Sequence, residues 1–370
     1  MIITRVTPTP LAVPLRTEFH WSSGAQLGAN LVLWTVETDE GVTGYGESSC
    51  DDPGAVVSHG RILAERFVGR NPGAVEAVLT DLWRVGRWRH TPRWTNLILS
   101  GIEVACWDAL GKALGVPAST FLGGRVRDEV DFMAFPQGGT PEEVARHAGE
   151  LSAEGYRVVY VKVGRPDDEA TVAAVREAIG PGPLLRVDPN EAWDVSTAVE
   201  QTRRLEQFAI DWVEQPVAAG NVAGLAYVRR SVRTKVAADQ AVYTREDLAS
   251  VIEHDAADVV VAGHHETGGL WRLRQLADAA DTHGLPLNRH AQMESEISTH
   301  AALQAMAAIP NLTLGNQLMS QLLAESLVST PLEFAGGRVA VPSGPGLGFE
   351  LDEDAVARAH ERHRRDGPYR

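Results

Sequence analysis

VVYVKV (158–163), LLRVD (184–188), IDWVE (210–214) and KVAAD (235–239) decide the fold, because each is a short β-branched run with a charged side chain at its carboxyl end. Lys162, Asp188, Glu214 and Asp239 stand 26, 26 and 25 residues apart. DVVVAG (258–263) and LPLNRH (285–290) carry the rhythm on to His264 and His290, FMAF (132–135) precedes it by one step, and LTLGN (312–316) follows. A unit of strand plus covering helix, repeated eight times, is the arithmetic of an α/β protein of the (β/α)8, TIM-like barrel type. Helix-start chemistry agrees: Thr140 and Thr244 each offer a capping hydroxyl with an acid three residues on, Glu143 and Asp247.

Outward from this repeat the texture changes. Residues 1–125 mix alternating runs such as LVLWTVET (31–38) with helical periodicity in AVEAVLTDLW (74–83) and SGIEVACWDALGKALG (100–115), the pattern of an α+β capping domain. Residues 126–320 hold the barrel. Residues 321–370 contain the turn-rich run GGRVAVPSGPGLGFELDED (336–354) and a basic helix, and are expected to return to the cap. The chain has 370 residues with 44% hydrophobic and 22% charged side chains, a folded protein's composition. Its net charge of −15 repels nucleic acid and anionic membrane surfaces. Two cysteines, Cys50 and Cys106, are too few for a disulfide scaffold. No export signal and no long apolar span stands out, so the expectation is a cytoplasmic protein.

Polar residues at the carboxyl ends of barrel strands are candidate site residues. Asp188, Glu214 and Asp239 end three consecutive strands, and carboxylates that close raise one another's pKa, so they are either protonated or gathered round a cation. An all-oxygen set with room for water and substrate suits Mg2+ better than Ca2+ or Zn2+. Surface acids would explain neither the spacing nor the apolar residues before each acid. Lys162 is either a lysine whose stem snorkels from a strand end or, beside a metal and partly buried, a neutral amine able to act as general base. Tyr160 shares its strand face, as hydrogen-bond partner, acid or filler of the inner layer.

These residues, with GIEVACWDALGKALGVPASTFLGG (101–124), YVKVG, RVDPNEAW, WVEQP, VAADQ, THGLPLNRH and PSGPGLGFELDED, resemble the enolase superfamily in its mandelate racemase and muconate-lactonizing enzyme branch. The resemblance implies that Asp188, Glu214 and Asp239 bind Mg2+, that Lys162 abstracts the proton beside a substrate carboxylate, and that Asn190 contacts the first ligand or the substrate. It implies that His290 is the acid or base on the opposite face. Two departures stand out: Tyr160 replaces the first lysine of Lys-x-Lys, and Gly263 replaces the strand-six lysine or histidine-orienting aspartate, leaving His265 or Glu266 to take that part. The strand-eight glutamate is replaced near Gly315, Asn316 and Gln317. His20, Trp21, Ser22 and Ser23 lie where relatives fold a lid, as do Cys50, Asp51 and Asp52 in a second loop, and both are expected to set specificity. The run 84–96, with Arg84, Arg87, Arg89, Arg93, Trp88 and Trp94, suits a subunit interface and hence a homo-oligomer.

The expected function is Mg2+-dependent abstraction of the proton α to a carboxylate, followed by loss of a β-hydroxyl from an acid sugar or small hydroxy acid. Racemization or epimerization by 1,1-proton transfer with Lys162 and His290 is the alternative, and a non-catalytic metal-binding scaffold is the third reading.

Overall fold

The computed structural model describes residues 1–22, 24–86 and 90–369. Ser23, Arg87, Trp88 and Arg89, named above in the lid and the Arg/Trp run, lie outside the described residues. The chain begins with an antiparallel sheet, β1 (Ile3–Trp21), β2 (Gly24–Thr38) and β3 (Thr43–Ser49), ordered β1-β2-β3. Helices α1 (Pro53–Ala64), α2 (Val75–Gly86) and α3 (Pro92–Leu114) follow, and α3 packs on β3. A short β4 (Glu129–Asp131) and α4 (Pro141–Ala153) lead into the repeat: β5 (Val158–Lys162), α5 (Asp168–Ile179), β6 (Leu184–Asp188), α6 (Val195–Leu205), β7 (Ile210–Glu214), α7 (Val222–Ser231), β8 (Lys235–Ala238), α8 (Arg245–Glu253), β9 (Val259–Ala262), α9 (His264–Thr267), α10 (Leu270–Thr282), β10 (Leu287–Arg289) and α11 (Glu296–Ala308). The tail holds β11 (Arg338–Ala340) and α12 (Glu353–Asp366).

β5 to β10 form one parallel sheet in the order β10-β9-β8-β7-β6-β5, as strands joined by covering helices must. Thr140 and Thr244 start α4 and α8 with the reciprocal bonds to Glu143 and Asp247 that the sequence calls for. The expectation of eight regular strands needs correction, because six form among the described residues. FMAF and LTLGN are reduced to single parallel bridges, Ala134 to Val159, Phe132 to Asn316 and Leu312 to Leu287, which link the two ends of the sheet. Two local causes are visible. The tail captures the start of the first run: β4 pairs antiparallel with β11, and the Phe132 N–H donates to Gly337 O rather than to a neighbouring barrel strand. In the last run Gly315 has φ +62°, outside the β region, and a side chain there would collide with Val158. Arg186, fully buried, strengthens this seam by donating to Gly315 O at 2.7 Å and Leu314 O at 2.8 Å, with its guanidinium stacked on Trp212.

The cap is fixed to the barrel by buried carboxylates that accept from barrel N–H groups. Glu103 of α3 accepts from Leu270 N and Trp271 N, both at 2.9 Å, at the start of α10, and from Trp107 Nε1 at 2.6 Å. A carboxylate at a helix N-terminus satisfies orphan donors and complements the helix dipole. Glu47 of β3 does the same for Ser295, the N-cap of α11. Asp108 accepts from Leu347 N in the tail at 2.9 Å and pairs with Lys112 at 2.7 Å. Arg93 is used within the chain, donating to Gln240 O and lying 4.2 Å over the Tyr243 ring. Helix α12 lies on β1, with Arg362 donating to Ala12 O at 2.7 Å. No helix among the described residues is long and apolar enough to cross a membrane.

Glu103→Ala is expected to destabilise the chain by about 3 kcal/mol, since it orphans two buried N–H groups and an indole and leaves a void. Urea unfolding measures it, and an unchanged midpoint would contradict this account of the cap–barrel seam.

Candidate active site

The strand ends bring Lys162, Asp188, Glu214, Asp239 and His290 to one end of the parallel sheet, because one face and one direction are shared by every strand. Lys162 Nζ donates to Asp188 Oδ2 at 2.7 Å and to Asn190 Oδ1 at 2.8 Å. Asn190 also gives its backbone N–H to Asp188 Oδ1 at 2.8 Å. This contact is possible because Asn190 adopts φ 45°, a left-handed conformation that asparagine tolerates and that turns its amide back toward the acid. Tyr160 is a hydrogen-bond partner: fully buried, its hydroxyl lies against both Asp188 Oδ2 and Glu214 Oε1, the latter at 2.7 Å. Gln317, in the place where a strand-eight acid was missing, donates to Glu214 Oε1 at 3.0 Å.

His290 Nδ1 lies 2.9 Å from Glu266 Oε1, and its Nε2 lies 3.8 Å from Asp239 Oδ2. Gln292 donates to the same Glu266 oxygen at 2.8 Å. Of the two residues offered as substitutes at Gly263, Glu266 therefore makes the contact. His265 requires a correction: it is fully buried, its ring nitrogens face Ser100 Oγ at 3.4 Å and Glu294 Oε2 at 3.3 Å, and it belongs to the cap–barrel seam rather than to a substrate surface. Its ring turns away because α9 starts at His264, so neighbours along one helical turn point in different directions. His20 lines a small cavity with Gln137, Lys162 and Arg165, and its backbone N–H donates to Gln137 Oε1 at 3.1 Å. Trp21 is anchored through its carbonyl, which accepts from Arg165 at 3.0 Å, and its side chain is partly exposed. In the second loop Asp52 caps α1, accepting from Ala55 N at 3.0 Å.

Two residues escaped the sequence reading. Gln215 takes φ 35° and its side-chain oxygen accepts from Asp239 N and Ala241 N, at 3.0 and 3.1 Å, so it fixes the backbone that presents Asp239. Gln137 ties β1 to the barrel by accepting from His20 N. The signal for Gln215 is its place directly after a strand-end acid.

The electrostatics are those of a crowded anionic site. Burial, then the nearby Asp188 charge, push Glu214 up to about 7, against the opposing pull of Lys162, Tyr160 and His290. Burial also raises Asp239 well above the usual carboxylate range, with Glu214, Asp188 and Glu266 adding to it while His290 opposes. Burial lowers the His290 pKa, but Asp239 and Glu266 more than reverse this, and the imidazole is held up to about 10. Glu266, despite burial that raises it, is drawn down to about 2 by His290.

Glu214 Oε2 and Asp239 Oδ2 are buried without any hydrogen-bond partner. Buried acceptors without donors are rare in folded proteins, and oxygen atoms in a cluster of carboxylates are the donor set of a hard divalent cation. Among the described residues no three acid, His or Cys side chains form a ready-made cage. The Tyr160 hydroxyl and Lys162 Nζ both lie against Asp188 Oδ2.

The comparisons agree along the whole chain. The family model described as "Enolase C-terminal domain-like" matches residues 143–355, and the one for the "Mandelate racemase / muconate lactonizing enzyme, N-terminal domain" matches residues 2–123. Muconate cycloisomerase 1 of Rhodococcus opacus is 31% identical, the match covering 96% of this chain and 97% of that protein. A probable glucarate dehydratase of Streptomyces coelicolor is 31% identical over 98% of this chain and 92% of its own. The crystal structure of N-succinyl Arg/Lys racemase from Bacillus cereus superposes with a TM-score of 0.91 at 25% identity, covering 97% of this chain and 98% of that one.

Mg2+ is expected to raise the melting temperature, by an amount equivalent to about 2.7 kcal/mol at a hundred times its Kd. Asp188→Asn, Glu214→Gln and Asp239→Asn should each weaken binding at least tenfold by calorimetry. A wild-type chain that gives neither heat nor thermal shift with millimolar Mg2+ would sink the metal assignment.

Proposed function

Because this chain belongs to the enolase superfamily, in its mandelate racemase and muconate lactonizing enzyme branch, we propose that it dehydrates an acid sugar or other small hydroxy acid. The reaction begins with removal of the proton α to the substrate carboxylate. Enzymes of this superfamily generally use Mg2+, and Asp188, Glu214 and Asp239 are the residues that would hold it. Held there, a divalent ion would supply positive charge to offset the second negative charge that grows on the substrate carboxylate as the α-proton leaves.

The observation that carries the reading is the pair of groups at the end of β5 and directly after β10, the two outer strands of the sheet order. Lys162 Nζ is placed by Asp188 and Asn190 to receive the α-proton. His290, with Nδ1 against the Glu266 carboxylate, presents Nε2 to the site as a proton donor. In the elimination the C–O bond to the β-hydroxyl breaks, Nε2–H protonates the departing oxygen to give water, and, with a second hydroxyl on the α-carbon as in an acid sugar, the enol left behind tautomerises to a 2-oxo acid. The lactonizing relatives' strand-six lysine is replaced by Gly263, which supports a chemistry without that second lysine. The same two groups would support 1,1-proton transfer, the chemistry named for the Bacillus cereus racemase, and this is the second reading.

The test is a library of acid sugars and amino acid derivatives incubated with Mg2+ in D2O. Lys162→Ala is expected to abolish exchange and product alike, a loss of at least a thousandfold. His290→Asn should still exchange the α-hydrogen while forming almost no 2-oxo acid. If His290→Asn instead exchanges one enantiomer only, with no 2-oxo acid from the wild type, the reaction is racemization. Wild-type turnover by His290→Asn would remove His290 from the mechanism.

A further inference from the structure

We propose that Gly263 and Glu266 act as one positioning unit for His290, with the glycine supplying the space into which the glutamate folds. The conformation of Gly263, φ −121° and ψ 170°, is open to any residue, so glycine is not needed there for its backbone freedom. It is needed for volume. A Cβ built on Gly263 would lie 2.4 Å from Glu266 Oε2 and 2.6 Å from His290 O, distances at which neither neighbour could stay where it is. The carboxylate thus fills the place that a strand-end side chain would occupy, and reaches it from three residues further along the chain.

The return path is rigid. α9 begins directly after Gly263, and one helical turn brings residue 266 back over residue 263. Thr267 gives both its N–H, at 3.1 Å, and its hydroxyl, at 2.9 Å, to Gly263 O. Asn96 of the cap helix α3 donates to Glu266 O at 2.8 Å, so the turn is held from the cap as well. Glu266 is itself fully buried, and its Oε1 accepts from His290 Nδ1 and Gln292 Nε2 at 2.9 and 2.8 Å. An ionised carboxylate only accepts, so Nδ1 carries a proton in this contact. A histidine whose Nδ1–H is fixed by a carboxylate keeps one ring orientation and one usable nitrogen, here Nε2 toward Asp239 and the site. The substrate-side role of His290 rests on the reading given under Proposed function, whereas the coupling of residues 263, 266 and 290 does not.

The experiment uses the full chain labelled with 15N-histidine, in which the His290 resonances among the 12 histidines are identified by their loss in His290→Asn. Wild type is expected to show a downfield Nδ1–H proton for His290, and both Glu266→Gln and Gly263→Ala are expected to lose or shift it while retaining cooperative thermal unfolding. In turnover, both variants should form product 10- to 100-fold more slowly, the usual range for loss of such an outer contact, while α-hydrogen exchange through Lys162 persists. An unchanged His290 resonance in either variant overturns the unit. So does a lost resonance with wild-type turnover, in an enzyme that His290→Asn inactivates. Wild-type turnover by His290→Asn would overturn the reading of His290 itself, and the resonance alone would then decide whether Gly263 and Glu266 orient the ring.

Discussion

Three buried carboxylates on adjacent parallel strands are the constraint around which the rest of the site is arranged. The strands are about 4.8 Å apart, so Asp188, Glu214 and Asp239 cannot withdraw from one another without breaking the sheet. Each would cost several kcal/mol to bury as an isolated ion. The surrounding donors reduce that cost unevenly. Asp188 receives Lys162, Tyr160 and the Asn190 N–H, whereas Glu214 Oε2 and Asp239 Oδ2 receive nothing.

That unevenness separates two uses of the same side chain in one protein. Glu103 is as buried as Glu214, and burial, offset by the Trp271, Trp107 and Leu270 N–H groups, likewise raises it to about 7. Both Glu103 oxygens nevertheless have donors, at the start of α10 and from Trp107. A perturbed carboxyl group is therefore a poor guide to chemistry by itself, and an unpartnered buried oxygen is a better one. By that criterion the cap's acids are fastenings, and the acids at the strand ends are the ones with acceptor capacity left over.

The strand ends were legible because each lies after a β-branched run at a fixed interval, and a barrel turns that interval into a shared face. Lys162 and the three acids come from that rule alone. The two weak strands were not legible, since their weakness is tertiary: β11, far along the chain, claims the entrance to the first, and Gly315 bends the last against Val158. Choosing between His265 and Glu266 needed one further step, reading HHET as a helical turn rather than as strand. Strand parity favours His265, whereas a helical turn returns the third residue after Gly263 to its own position. Arg186 carried no signal, because an arginine inside a barrel is understood only with the Gly315 and Leu314 carbonyls beside it.

Tyr160 ties the charge of the site to its chemistry. With a lysine at that position the ring of acids would hold a second ammonium, while the tyrosine hydroxyl supplies a hydrogen bond without charge. Asp188, Glu214, Asp239 and Glu266 are then faced by two cationic groups, Lys162 and His290, and two negative charges are left over. Protons can remove that excess, which is the course that burial and repulsion impose on Glu214 and Asp239. A divalent cation would remove it completely and would in addition satisfy Glu214 Oε2 and Asp239 Oδ2, which no donor reaches. The tyrosine therefore keeps the pocket's deficit at the charge of one such ion, and leaves Lys162 as the single amine on its side of the site.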